Sequence, residues 1–282
     1  MLKKLMKYDL RAIGRFWWLI AVFTLLACAV EGALLRISHE LLLNGSTVLA
    51  VISMTVFFLG MIAVLMTLPL TWLLVFYRFY RQLYTDIGYL TFSLPVSRKQ
   101  ILASKTLSAI IWTLLQLFVL GIGAAFVLFC ASAGDGAYFD AIVFTRFLDW
   151  VKYLWNGIGA WTVVYAVELI ALMLVGIWIA VGFAQMCIAI GATVFKKYKI
   201  LAAVVIYTVV SAVVVLFFDV LAAVSAVLLF DGFVDLLSVS SGILQCVSLA
   251  IILLIACVIS ASVAVFIHLV TLDRIERKLS LA

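Results

Sequence analysis

The sequence predicts an all-α polytopic membrane protein with six transmembrane helices. Three observations carry this prediction: 68% of the 282 residues are hydrophobic, 11% are charged, and the mean hydropathy is +1.34. A soluble domain cannot bury so much apolar surface. Because lipid offers backbone groups no hydrogen-bond partner, about 20 consecutive apolar residues must cross the bilayer as a helix. Blocks of that length occur at about residues 16–37, 48–77, 101–131, 158–195, 200–218 and 242–272.

A basic stretch, residues 1–15, precedes the first span. Cations recur in this stretch every three or four positions, on the face opposite its apolar residues. These cations are Lys4, Lys7, Arg11 and Arg15. This spacing predicts an N-terminal amphipathic interfacial helix on the inner leaflet. A cleaved signal peptide is the alternative, because Ala27-Cys28-Ala29 imitates a cleavage site. The apolar run continues to Ile37, which favours a retained span.

The distribution of positive charge predicts the orientation. Sixteen of the 19 lysines and arginines lie in the N-terminal stretch, the second and fourth connections and the C-terminal end, leaving Arg36, Arg146 and Lys152 in the other connections. Cytoplasmic flanks of membrane spans retain positive charge, so we expect both termini in the cytosol. We expect the chain to be integral to the plasma membrane of a bacterium. The net charge of +6 then reflects topology and not a nucleic-acid partner.

Residues 78–100 form a long polar interruption on the predicted cytosolic side. Pro95 fixes its own φ angle and disfavours helical backbone at Leu94. Ser97 can then cap the start of a new helix. A short helix from about Tyr80 to Leu90 could protrude before this turn. The segment therefore suits a docking element for a soluble partner, and a solvated loop with a well-formed turn is the alternative.

This segment resembles the connection between the second and third spans of type-two ABC (ATP-binding cassette) exporter permeases. In that family an acidic residue and a glycine precede a leucine-rich turn, a Pro-Val-Ser-Arg sequence, and an Ile-Leu pair and lysine entering the third span. The matching residues are Asp86, Gly88, Leu94, Pro95, Val96, Ser97, Arg98, Ile101, Leu102 and Lys105, within about a tenth of the chain.

The resemblance implies a permease subunit that pairs with a second permease subunit, identical or different, within membrane lipid. Two separate ABC ATPase subunits would bind ATP and Mg and drive transport. The implied cargo is an amphiphile such as an antimicrobial peptide or a drug. On this basis we expect seven residues to couple the chain to its ATPase: Tyr84, Asp86, Gly88, Leu94, Pro95, Ser97 and Arg98.

Polar residues in the predicted spans are candidates for a transport pathway. Glu168 lies in the outer half of the fourth span, or in the headgroup region if that span starts near Ile170. Asp219 falls about 28 Å from Ile200 along a helix, at the outer boundary, where it could serve as a cap or gate. Gln116 and Gln185 are more typical of interhelical hydrogen bonds than of substrate ligands.

Two outer connections carry further predictions. Residues 219–241 include an apolar stretch too short to cross the membrane, which predicts an outer hairpin. Residues 132–157 place Arg146, Asp149 and Lys152 at helical spacing opposite apolar residues. That pattern predicts an interfacial helix, with a lid beside an exit path as the alternative.

The sequence offers no catalytic or metal-binding constellation. His39 and His268 are single and lie on opposite predicted sides, and the five cysteines lack CxxC spacing. A phosphate-binding GxxxxGK[ST] loop is absent, so ATP hydrolysis is expected in a partner and not in this chain. Two other functions stay open: a lipid-modifying membrane enzyme, which would need clustered carboxylates or histidines, and a non-transporting membrane anchor or sensor.

Overall fold

The computed structural model describes residues 2–85, 87–93, 95–132, 149, 152–153, 155–156, 159–194, 198–216, 219 and 242–279. Within these residues the regular structure is entirely helical, without strands. The helices are α1 (Leu2–Leu43), α2 (Thr47–Leu65), α3 (Thr67–Tyr84), α4 (Ile87–Phe92), α5 (Arg98–Ser132), α6 (Trp161–Val194), α7 (Lys199–Leu216) and α8 (Gly242–Leu279). The predicted outer hairpin, 219–241, lies outside the described residues except for Asp219, and so does most of the connection 132–157.

Within the described residues, six helical segments are long and apolar enough to cross a membrane. They are Lys3–Leu42, Thr47–Tyr84, Arg98–Cys130, Trp161–Val194, Lys199–Leu216 and Leu249–Glu276. Each overlaps one predicted span, and α2 and α3 together form the second. The prediction of an all-α protein with six membrane-length helices is therefore confirmed for the described part of the chain.

The structure corrects the prediction of a separate amphipathic helix over residues 1–15. These residues are the first turns of α1, which runs 42 residues without a break. At 1.5 Å per residue α1 is about 63 Å long, twice the thickness of the hydrocarbon core. Asp9, Ile13 and Trp17 are buried on the stripe that continues into the membrane, so packing holds this segment in line with the span.

The second membrane segment is interrupted at Met66. Pro69 explains the interruption: it has no N–H to donate to the carbonyl of Leu65, four residues earlier, and its ring crowds that carbonyl. α2 therefore ends at Leu65 and α3 begins at Thr67, with Pro69 in the tolerated first turn. The Thr67 hydroxyl donates a 2.6 Å hydrogen bond to the Val64 carbonyl beside the break.

The chain divides into two compact units. The first comprises Met1–Leu83 and Leu94–Leu154, and the second comprises Tyr84–Ser93 and Trp155–Ala282. In the first unit α1 packs along both α5 and α2, and in the second α6 packs along α8. The short segment 84–93 thus belongs to the second unit, although it lies in sequence between two helices of the first.

In the first unit α1 and α5 run parallel, joined by a seam of small residues. A Cβ atom added to Gly123 would lie 2.5 Å from Cys28 Sγ, and one added to Gly32 would lie 2.7 Å from Cys130 Cβ. Nearer the N-terminal ends, the rings of Trp17 and Trp112 lie 4.8 Å apart. The seam follows the small-residue packing of membrane helices and sets the starts of both helices at the same end of the unit.

In the second unit α6 and α7 form a close antiparallel pair. A Cβ atom on Gly191 would meet backbone atoms of Ala203 at 2.7 Å, so the two backbones touch there. Further along the pair, the Phe183 and Tyr207 rings lie 5.5 Å apart. Gly191 therefore fixes the point of closest approach.

Candidate functional site

A buried polar cluster joins three helices of the first unit. Two of its residues flank the segment 83–104, one immediately before it and one immediately after it. We call it the Asp9 cluster: Asp9 on α1, Gln82 on α3, and Ser104 and Lys105 on α5. Lys105 Nζ donates to Asp9 Oδ1 at 2.5 Å and also to Gln82 Oε1. Ser104 Oγ donates to Asp9 Oδ2 at 3.2 Å, so each carboxylate oxygen has a partner.

The charged groups of the Asp9 cluster are buried, so solvent screens their interaction only weakly. The Asp9 and Lys105 side chains are only 8% and 9% exposed, and Ser104 is fully buried. Removing one member of a buried pair leaves an uncompensated charge, which is much more costly than losing a surface pair. The cluster therefore fixes the relative positions of α1, α3 and α5.

The Asp9 cluster also fixes both ends of the connecting segment. Gln82 stands two residues before the end of α3, and Lys105 stands seven residues after the start of α5. Lys105 donates both to Gln82 on α3 and to Asp9 on α1, so the two ends of the segment are bonded to each other and, through Lys105, to α1. The connecting segment is therefore held to the helices at both ends by side-chain hydrogen bonds.

The described residues of the predicted coupling set divide into buried and exposed groups. Tyr84 and Gly88 are buried, whereas Pro95, Ser97 and Arg98 are exposed. The Ser97 carbonyl accepts hydrogen bonds from the N–H groups of Gln100 and Ile101, as expected of the residue that precedes the first turn of α5. Asp86 and Leu94 lie outside the described residues.

The predicted helix from about Tyr80 to Leu90 is corrected by the structure. α3 continues to Tyr84, and a separate short helix, α4, covers Ile87–Phe92. The Gly88 N–H donates to the Thr85 carbonyl at 2.8 Å, which forms a tight turn where the prediction placed the middle of a helix. The helix break therefore lies inside the acidic-residue and glycine motif.

Gln116 forms a second polar contact, deeper in the first unit. It is fully buried, and its Nε2 donates to Thr67 Oγ1 at 3.0 Å and to Thr24 Oγ1 at 3.3 Å. The Thr24 hydroxyl in turn donates to the Ile20 carbonyl of its own helix, and the Thr67 hydroxyl donates across the break to the Val64 carbonyl. Gln116 thus makes the interhelical hydrogen bonds expected of it, at the break between α2 and α3.

The other pathway candidates lie in or beside the second unit's helices and do not form one site. Gln185 is buried in α6, and Glu168 is half-buried on the same helix. Seventeen residues separate them, which is about 26 Å along the axis. Glu168 lies seven residues into α6, which leaves both placements of it open, and Asp219 is exposed.

Sequence reasoning missed two buried carboxyl groups, Asp9 and Glu31. Asp9 had a visible signal, since it is the one acidic residue in the basic stretch 1–15. Glu31 is 5% exposed inside the first membrane-length helix, where an acidic residue is rare. Its carboxyl packs against Gly60 of α2, so that a Cβ atom there would lie 1.5 Å from Glu31 Oε1.

Among the residues that the structure describes, no group of three or more His, Cys, Asp or Glu side chains is placed to hold a metal ion. Four cysteines, Cys28, Cys130, Cys187 and Cys257, are free thiols. Cys28 and Cys130 fill the seam between α1 and α5, where they serve as small packing residues.

Comparison of the chain with protein-family models, curated proteins and solved structures finds no match.

Proposed function

We propose that this chain is the transmembrane permease subunit of an ATP-driven ABC transporter. It exports an amphiphilic substrate, such as an antimicrobial peptide or a drug, and works with a second permease subunit. A separate pair of ATPase subunits binds ATP and Mg and supplies the energy. The chain resides in a bacterial plasma membrane with both termini in the cytosol.

The observation that carries the proposal is the attachment of the segment 83–104 to the helix bundle. The motif residues Pro95, Ser97 and Arg98 are exposed. Both ends of the same segment are tied to α1 by the buried Asp9 cluster. An exposed docking surface whose flanking residues are bonded to the helix bundle is suited to transmitting the movement of a docked partner to the membrane helices.

The first test is copurification from native membranes in mild detergent. We expect a stoichiometric ATPase, with vanadate-sensitive ATP hydrolysis in the purified complex. If the chain is recovered alone, even after crosslinking, the permease assignment is wrong. A lipid-modifying enzyme or a membrane anchor would then be the functions to pursue.

The second test is coupling in reconstituted vesicles. The double variant Asp86→Ala/Arg98→Ala is expected to retain insertion and folding but to lose the link between ATP hydrolysis and transport. Lys99→Ala is the matched control, because Lys99 is an exposed neighbouring cation outside the matched motif residues. Wild-type coupling in the double variant would contradict the role of the segment.

A further inference from the structure

Glu31 lies deep within the hairpin of α1 and α2. It stands 12 residues before the end of α1 at Leu43, and its neighbour Gly60 stands 13 residues after the start of α2 at Thr47. At 1.5 Å per residue both positions are about 18 to 20 Å below the turn that joins the helices. The carboxyl group is thus far from the polar ends of an apolar hairpin.

The surroundings of Glu31 contain no compensating cation among the described residues. α2 carries no titratable side chain, and the titratable groups that face this part of α1 are the thiols Cys28 on α1 and Cys130 on α5. Further along α1 toward its C-terminal end lie Arg36, His39 and Glu40, and Arg36 pairs with Glu40 at 3.2 Å. In the described part of the chain Glu31 Oε2 has no hydrogen-bond partner.

Gly60 provides the space that the carboxyl group occupies. Any side chain at this position would overlap Glu31 Oε1, and the contacting atom is the carboxylate oxygen itself. The hairpin is therefore shaped to hold an acidic side chain flat against the backbone of α2. An ionised carboxylate is unfavourable in such a position, since burial without a paired charge or hydrogen bonds is costly in protein and in lipid.

We propose that Glu31 is an intramembrane proton-binding site. Its carboxyl group holds a proton while α1 packs against α2, and it releases the proton when the two helices separate and water reaches the group. Proton binding therefore stabilises the packed hairpin, and release favours the separated one. This inference rests on the hairpin alone and does not depend on the proposed transport function.

The protonation state can be observed directly by infrared spectroscopy of the full-length protein with isotope-labelled glutamate. At neutral pH we expect a carbonyl band of a protonated carboxylic acid in the wild type that is lost in Glu31→Gln. Glu40→Gln is the control: it removes an exposed carboxyl on the same helix and should leave this band intact. If Glu31→Gln removes a carboxylate band instead, the proposal is overturned.

The link between proton binding and packing is tested by thermal melting across a pH series in detergent. Glu31→Gln mimics the protonated form, so it should melt at or above the wild-type temperature, with a difference that grows as the pH rises. Other titrating groups are common to both proteins and cancel in this difference. A variant that melts below the wild type by the same margin at every pH would show that the proton has no part in holding the hairpin together.

Discussion

Lys105 Nζ lies 2.5 Å from Asp9 Oδ1, although the two residues are 96 positions apart. The pair joins the first helix of the chain to α5, and Lys105 also reaches Gln82 on α3. The contact therefore links three helices through a buried ion pair. The first unit should therefore depend on this pair more than on any exposed ion pair.

Replacement of Asp9 by Leu should destabilise the protein by about 3 to 5 kcal/mol, because the buried ammonium of Lys105 loses its counter-charge. The double variant Asp9→Leu/Lys105→Met should recover most of that loss, since apolar residues of similar volume replace a buried pair without leaving a charge. Melting of the four proteins of this double-mutant cycle in detergent measures the coupling.

The exposed pair Arg36 and Glu40 is the control for this cycle. Its side chains are 47% and 56% exposed, so Arg36→Ala should cost under about 1 kcal/mol. If both pairs gave equally small effects, the Asp9 cluster would not fix the relative positions of α1, α3 and α5.

Removing the donor of the Gln116 hydrogen bonds should cost less stability than removing their acceptors. Gln116→Leu should cost about 1 to 2 kcal/mol, because both threonine hydroxyls keep their own carbonyl partners. Thr24→Val/Thr67→Val should cost more, about 1 to 3 kcal/mol for each unsatisfied group, because the buried amide keeps its protons and loses its acceptors.

Melting temperatures of these variants check the asymmetry. Thr55→Val is the control, since Thr55 is exposed on α2 and its hydroxyl bonds only to its own helix. Adding Gln116→Leu to the double threonine variant should restore stability. A further loss on that addition would contradict the proposed hydrogen-bonding arrangement.

The contact of α6 with α7 predicts opposite effects for two glycines of the same helix. Gly191→Ala should destabilise by about 1 to 3 kcal/mol, because the new methyl group meets the Ala203 backbone, which cannot rotate away. Gly176→Ala should be neutral or stabilising by up to about 1 kcal/mol, since it faces open space within a helix. Melting of both variants decides whether α6 and α7 touch at Gly191.

The parallel register of α1 and α5 predicts a specific crosslink. Gly32→Cys, with Cys130 as the remaining native cysteine, should form a disulfide after a shift of about 1 Å that relieves the short Cβ contact. Cleavage at a protease site placed in the turn around Gly45 would leave the two fragments joined until a reductant is added. Val30→Cys, on the 58% exposed face of α1, should give no crosslink.

Membrane-helix number and approximate bounds could be predicted from the sequence because backbone hydrogen bonding in lipid forces every long apolar block into a helix. The break at Met66 was also within reach, since Pro69 lies four residues after Leu65 in an otherwise continuous block. The boundary between the amphipathic stretch 1–15 and the first span is not seen in the structure, because amphipathic spacing describes the faces of a helix and not where the helix ends.

The polar sites were harder to predict because their partners are remote in sequence. Asp9 gives no sign in the sequence that it meets Lys105, and the fit of Glu31 against Gly60 depends on the distance between two backbones. Gln116 was recognised because a lone amide in an apolar helix usually finds an interhelical partner. Which threonines it would contact depends on the register of α1 and α3 against α5.

The 96 positions that separate Asp9 from Lys105 also determine how long the pair takes to be completed during biosynthesis. A ribosome adding about 5 to 20 residues per second needs about 5 to 20 seconds to make that stretch. Throughout this interval Asp9 lacks the Lys105 ammonium with which it pairs in the folded protein. Completion of the first unit therefore waits for the emergence of α5, and a nascent chain that stalls before Lys105 presents an unfinished bundle to cellular quality control.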